Sequence, residues 1–430
     1  MSIIFKIVRS QPAVFLLLLF NLQGFASDIT GSGPNQINDT SFVELAGSVK
    51  DSDTKDPIVF AHIILTGTNI GTVSNTDGRF LLKIPHDRMD GQITVSSLGY
   101  KNLTMGISDL QRINNEIQLE MMRYEIKELV VRQLHPIDLL REAKQKIPLN
   151  YGETPAMFTA FYRETIKQNR NYVAVSEAVF DVYKASYGTY GEEDRIKVFK
   201  GRKSQDVNRM DTVLFKLQGG PYNLFILDVA KHFDEIFADD CMDYYDFHLN
   251  GQVSIQDREA YQISFSQKDN VQLPLYDGFV YLDVQTLAII SLKFNLSPVG
   301  IEYAPASMIL KKPIGMRVEI PGADYLVKFS YSKGRWFLSY ARSEARFRCK
   351  WNRKLFRSNY VTVSEMAVTD VDLQNIVKFR MRESSRPGDI FSEVVSDFED
   401  PQFWGDYNII RPEISIEEAT RKLSRKLQRK

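Results

Sequence analysis

The chain has 430 residues, room for two or three domains, and its 54 Lys plus Arg balance 54 Asp plus Glu, so the formal net charge is zero. That balance argues against nucleic acid as a partner, which a basic excess would mark. A hydrophobic content of 43% fits a globular chain with a real core, and 27 Phe and 20 Tyr favour strands over helices.

Residues 1–26 read as a secretory signal peptide. Lys6 and Arg9 make a positive start, Ala13 to Phe20 is an unbroken apolar run, and Gly24-Phe25-Ala26 precedes a cut before Ser27. The apolar run is shorter than the ~20 residues that span a bilayer, and no Cys follows it to carry a lipid anchor. The expected product is exported, residing in the periplasm or associated with the outer membrane. Residues 27–42, rich in Gly, Asn, Asp and Thr, read as a disordered leader. Two cysteines remain, Cys241 and Cys349; one disulfide and two buried thiols are both open.

Residues 43–122 read as one small all-β module. Leu45-Ala-Gly47-Ser-Val49 opens it, Asp53 to Pro57 breaks it, and Ala61-His-Ile-Ile-Leu65 resumes it. Gly67 to Val73, Asn75 to Pro85 and Ile93 to Tyr100 follow, with Ile117-Gln-Leu119-Glu-Met121 to close. Asp77-Gly78 predicts a type I′ hairpin. This order resembles the carboxypeptidase-like regulatory domain, a transthyretin-like β-sandwich also found at the N-terminus of TonB-dependent transporters. The resemblance implies a non-catalytic passenger, not a peptidase.

Residues 123–150 read as a linker strand and helix. Tyr124 to Arg132 resembles the strand that follows this module in TonB-dependent transporters, but the rest of the chain lacks the serial ten-residue alternation of a membrane barrel. His135-Pro136 predicts a helix start, Ile137, Leu140, Ala143 and Ile147 its apolar stripe, and Pro148 its end.

Residues 151–411 read as an antiparallel β-rich domain of unknown function. Strands are expected at 158–166, 172–187, 244–249, 260–266, 278–283, 288–295, 316–320, 325–331, 336–348 and 360–371, with a helix over 224–237. Residues 412–430 read as a basic amphipathic C-terminal helix opened by a Ser415/Glu418 capping box. Ile416, Ala419, Leu423 and Leu427 lie on one face, and Arg421, Lys422, Arg425, Lys426, Arg429 and Lys430 on the others. The fold class is mainly β: a transthyretin-like sandwich, then an antiparallel-sheet α+β domain. Its hairpins at Asp257 to Tyr261 and Gly278 to Ile290 resemble the repeated unit of periplasmic lipoprotein-carrier-like half-barrels, in which a curved sheet encloses an apolar cavity. Phe161-Tyr-Arg-Glu164, Gly201-Arg-Lys-Ser204 and Asp400 to Ile410 are similar to segments of Gram-negative envelope proteins carrying the regulatory module.

His232-Phe-Asp-Glu235 has the His-x-x-Glu spacing of a zinc peptidase, yet the next His, His248, falls too near to supply the distant ligand, and a surface pair on a helix is the plainer account. Asp234, Glu235, Asp239, Asp240, Asp243 and Asp246 lack the Gly and terminal Glu of a calcium loop. Arg342, Arg346, Arg348 and Lys350, then Arg353, Lys354 and Arg357, crowd one strand and its turn. Arg346, Arg348 and Lys350 alternate onto one sheet face, and with Arg353 and Lys354 form the candidate anion site, for phosphates or sugar acids of an envelope glycolipid. The competing account is a charged edge strand that blocks edge-to-edge pairing. Trp336, Trp351 and Trp404 are candidate sugar platforms or ordinary packing. No nucleophile elbow, zinc-protease helix or phosphate loop is present.

The functional expectation is a non-catalytic cell-envelope binding or assembly protein, with the sandwich as docking module and the second domain as ligand- or partner-binding sheet. No cofactor is expected. The partner is an envelope protein or an apolar or glycan ligand, with peripheral outer-membrane association. The alternatives are an envelope glycan or peptide hydrolase and an accessory component of an outer-membrane transport system.

Overall fold

The computed structural model describes residues 42–122, 134–189, 191–205, 220–256, 258–304, 315–352, 357–386, 389, 391, 395–397, 404–405 and 407–427. The expected signal peptide and leader, the strand at 124–132, and Arg353 and Lys354 lie outside these residues.

Seven strands build the sandwich: β1 (Phe42–Asp51), β2 (His62–Leu65), β3 (Gly71–Val73), β4 (Arg79–Pro85), β5 (Gln92–Ser96), β6 (Leu103–Gly106) and β7 (Asn115–Leu119). They form two sheets, β4-β1-β7 and β3-β2-β5-β6. Alternation decides what faces inward: Ile63 and Leu65, Phe80, Leu82 and Ile84, Ile93 and Val95, and Ile117 and Leu119 are all buried in one cluster. Gly47 lets β1 pass between its neighbours, since a Cβ there would lie 2.5 Å from the Asn115 carbonyl and 2.8 Å from the Phe80 ring. The expected hairpin at Asp77-Gly78 does not form. β3 pairs with β2 and β4 with β1, so the turn carries the chain from one sheet to the other. Only Gly78 takes positive φ (71°), and Asn75 Oδ1 holds the turn by accepting from the amides of Asp77 and Arg79.

The second region is one open sheet of 11 strands, ordered β11-β12-β13-β14-β15-β16-β17-β8-β9-β10-β18. The strands are β8 (Ala156–Gln168), β9 (Asn171–Lys184), β10 (Arg195–Gln205), β11 (Tyr245–Ile255), β12 (Arg258–Gln267), β13 (Tyr276–Asp283), β14 (Ile289–Leu296), β15 (Met316–Ser332), β16 (Arg335–Trp351), β17 (Arg357–Asp372) and β18 (Ser396–Asp397). β15 is continuous where two strands were expected, because Pro321 falls in a register shift between Glu319 and Gly322, where a missing amide donor is tolerated. The basic strand β16 lies between β15 and β17. The edge-protection account of its charges is therefore wrong.

Among the described residues the α-helices are α1 (Pro136–Gln145), α2 (Ile147–Tyr151), α3 (Gly220–Ile226), α4 (Asp234–Phe237), α5 (Asp239–Met242), α6 (Pro298–Tyr303) and α7 (Ile414–Leu427). Pro148 starts α2 as well as stopping α1. The helix expected over 224–237 breaks after Ile226, where the Asp228 carboxylate turns into the core to meet Lys184. α1 to α5 cover one face, here called inner, and join Phe158, Ala160, Tyr162, Phe180 and Val182 in one large apolar cluster. α7 begins at Ile414, with no Ser415/Glu418 box at its start; the sandwich caps it, Ile414 N–H donating to Asp77 Oδ2 (3.0 Å).

Candidate functional site

The outer face of the sheet carries the chemistry. Strand alternation presents Phe161 and Arg163 from β8, Glu177 and Val179 from β9, Tyr340 and Arg342 from β16, and Glu365 and Ala367 from β17. Register sets Arg163 directly opposite both Glu177 and Glu365, and Arg342 opposite Glu365. Arg163 is 1% exposed. It donates to Glu177 Oε1 (2.7 Å), to Glu365 Oε1 (3.2 Å) and to the Ile410 carbonyl (2.5 Å). Arg202 takes the other Glu177 oxygen (2.6 Å), and Tyr340 donates to Glu365 Oε2 (3.1 Å). Burial works against the Arg163 charge, but Glu177, Glu365 and Glu413 outweigh it and push the pKa up. Burial likewise opposes the Glu177 carboxylate, and Arg202 and Arg163 hold it below the usual range. Glu365 is pushed up, by burial first.

The C-terminal strap, residues 404–405 and 407–413, closes this network and ties it to the sandwich. Thr72 Oγ1 donates to the Ile409 carbonyl (2.9 Å) and Asn75 Nδ2 to that of Arg411 (3.0 Å). Asn408 imitates a strand residue on β4: its Oδ1 accepts from Lys83 N–H (2.7 Å) and its Nδ2 donates to the Lys83 carbonyl (3.2 Å). Trp404, Ile409 and Ile410 pack with Phe161, Val179, Tyr340 and Val73, so apolar groups of sandwich, sheet and strap share one cluster. Thr76 donates to Glu413 Oε1 (3.1 Å), and Glu413 Oε2 lies 3.9 Å from Arg163. Beside the strap, His62 of β2 is buried and Lys328 of β15 half-buried. His62 Nδ1 meets Ser330 Oγ (3.1 Å), and Lys328 donates to the Phe60 carbonyl (2.7 Å). Burial pushes His62 down to about 3, helped by the Lys328 charge, and pushes Lys328 down to about 8.

Below this junction, register places Arg346, Arg348 and Lys350 on the same outer face. Arg346 pairs with Asp324 and Glu344, and Arg348 with Glu319 (3.3 Å). Lys350 is exposed and has no ion pair among the described residues. His232 is apart from all of these, in the break before α4, and burial pushes its pKa down. Among the described residues no group of three His, Cys, Asp or Glu could hold a metal. Cys241 and Cys349 are buried free thiols. Trp336 and Trp404 are buried, with Arg258 (5.5 Å) and Arg202 (4.9 Å) over their rings, so neither offers a sugar platform.

Two buried sites escaped the sequence reading. Lys184 joins Asp194 (2.5 Å) and Asp228 (2.7 Å), with Tyr187 OH donating to Asp228 (2.7 Å). Glu164, on the inner face, receives the Tyr162 hydroxyl (3.0 Å). An alternating strand tells which face each side chain takes; it does not tell which distant acid stands opposite. A polar cleft of about 640 Å³, lined by Asp246, Asp269, Asp277, Gln267 and Ser297, opens at the β11–β13 end.

Residues 45–131, about a fifth of the chain, match the family model of the CarboxypepD_reg-like domain. No curated protein matches the chain. Among solved structures, a domain from Vibrio parahaemolyticus described as sorting outer-membrane lipoproteins is 10% identical, with 56% of this chain and 93% of that one covered and a TM-score of 0.23. A LolA superfamily protein from Nitrosomonas europaea is 12% identical (59% and 98% covered, TM-score 0.21). A DUF1329 family protein from Desulfovibrio piger is 11% identical (58% and 97%, TM-score 0.23). Likenesses this distant transfer no function.

Proposed function

We propose that this is a non-catalytic, exported assembly protein of the cell envelope, in which the sandwich and the large sheet act as one rigid body. The observation that carries this reading is the strap junction. It buries Arg163, Glu177, Glu365 and Glu413 between the two modules and fills the β4 edge with Asn408. A module tied down in this way is set at a fixed orientation, and β6 stays at the edge of its sheet, where an added strand from a partner can pair. The inner face of the sheet supports the same reading, because α1 to α5 pack there against Phe158, Tyr162, Phe180 and their neighbours.

The test is native mass spectrometry of the protein recovered after export, with metal and lipid analysis. A bare chain, cut before Ser27, is the expected result. A stoichiometric lipid would replace the scaffold with a carrier, and zinc lost on His232→Ala would replace it with a hydrolase.

A further inference from the structure

The paired cations Arg346 and Arg348 lead down β16 to a row that has no acid in it. Lys350 stands directly opposite Arg317 of β15 on one side and Arg357 of β17 on the other. All three are exposed. They share the outer face, because Arg317 precedes Glu319 by two residues, Arg357 precedes Asn359 by two, and Glu319, Arg348 and Asn359 form the next row up. The acid in that row, Glu319, already bonds Arg348. None of the three cations has a carboxylate or ring partner among the described residues.

Like charges directly opposite on neighbouring strands destabilise a sheet. Here two such pairs stand side by side at the ends of three central strands, and elsewhere on this face cations meet acids: Arg163 with Glu177 and Glu365, Arg342 with Glu344, Arg346 with Asp324. The overall charge is zero, so the row is a local concentration rather than part of a general basic excess. Three strands at ~4.8 Å spacing put the cations on a line ~10 Å across.

Position decides what such a line can bind. The β14 ladder with β15 spans only Asp324 to Lys328, and β8 pairs with β17 only as far as Tyr360, so the row of Arg317, Lys350 and Arg357 lies past the paired neighbours on both sides. Lys350 lies ten residues from Tyr340 in the sandwich junction, ~33 Å along an extended strand. A small free anion needs a concavity that encloses it. A cationic row at an exposed tip instead suits a flat array of anionic groups.

We propose that Arg317, Lys350 and Arg357 form a contact site for an anionic phospholipid surface, with the sandwich held away from the membrane. The contact falls on this row, which has no ion pair among the described residues, rather than on the ion-paired Arg346 and Arg348. It does not depend on the fusion of the two modules.

The experiment is flotation of the exported, processed protein with phosphatidylcholine vesicles, with and without phosphatidylglycerol. Binding to the anionic vesicles alone is expected, falling as chloride rises. The combined variant Arg317→Gln, Lys350→Gln, Arg357→Gln should bind roughly a hundredfold more weakly, at about fivefold per cation. Lys350→Gln alone should lose about fivefold, which keeps the test readable if the triple variant fails to fold. Removing the paired charges together, Arg348→Gln with Glu319→Gln, should leave binding unchanged. Equal flotation with neutral vesicles, or a triple variant that binds like the parent, overturns the proposal. So does release by inorganic phosphate beyond that by chloride at equal ionic strength, since it would reveal a site for single phosphates rather than a surface.

Discussion

Arg163 and Glu164 are neighbours on β8 with opposite fates. Arg163 points outward into three carboxylates. Glu164 points inward, 5% exposed, and receives one phenol, Tyr162 OH at 3.0 Å. Burial pushes Glu164 up to about 7, and the Tyr162 hydroxyl pulls weakly the other way. A carboxyl whose folded pKa is raised favours the folded state most below its unfolded pKa, near 4.5, and that advantage is lost as pH rises to about 7. Glu164→Gln removes the titration and keeps an acceptor for Tyr162. The variant should therefore match the parent near pH 4.5 and exceed it by on the order of 3 kcal/mol at pH 8, read by urea unfolding at both pH values. Equal stability at pH 8 would show a solvated carboxylate.

The strap is the element on which the architecture turns, and it shows how far a sequence can be read. Alternation in Phe158 to Ile166 and in Trp336 to Arg348 announced strands and their faces, since the core needs only a period of two. The same pattern placed Arg346, Arg348 and Lys350 together. It could not say that β16 is central, because strand order depends on pairing partners far apart in sequence. Residues 404–413 carry no period at all. Trp404, Asn408 and Ile410 acquire meaning only from Phe161, Lys83 and Arg163, more than 240 residues earlier. Asn408 shows the consequence. Both of its amide groups bond the Lys83 backbone in a buried setting. Asn408→Ala removes both of these hydrogen bonds and should cost about 2–4 kcal/mol. A chemical denaturation midpoint within error of the parent would mean that the strap does not hold β4.

At the scale of the whole molecule, one cooperative unit is expected, since sandwich, strap and sheet share a cluster and a charge network. The pH dependence of that unit has a contributor at the junction. His62 is buried beside Lys328, with only Ser330 Oγ at its Nδ1, and its pKa falls from 6.5 to about 3. Above pH 6.5 the ring is neutral whether the molecule is folded or not. Below it, the unfolded chain takes up a proton that the folded junction refuses, so stability falls by about 1.4 kcal/mol per pH unit until about pH 3. Lys328 adds no slope in this window, because its own loss of stability is complete by about pH 8 and is constant below. Glu177 and Glu365 titrate in parent and variant alike. Calorimetry of the parent and of His62→Asn at pH 7.5 and pH 5 isolates the ring. A single transition is expected for both proteins at pH 7.5. At pH 5 the parent should have lost about 2 kcal/mol more than the variant. Parallel losses would mean that water reaches His62, and that the two modules meet more loosely than the strap implies.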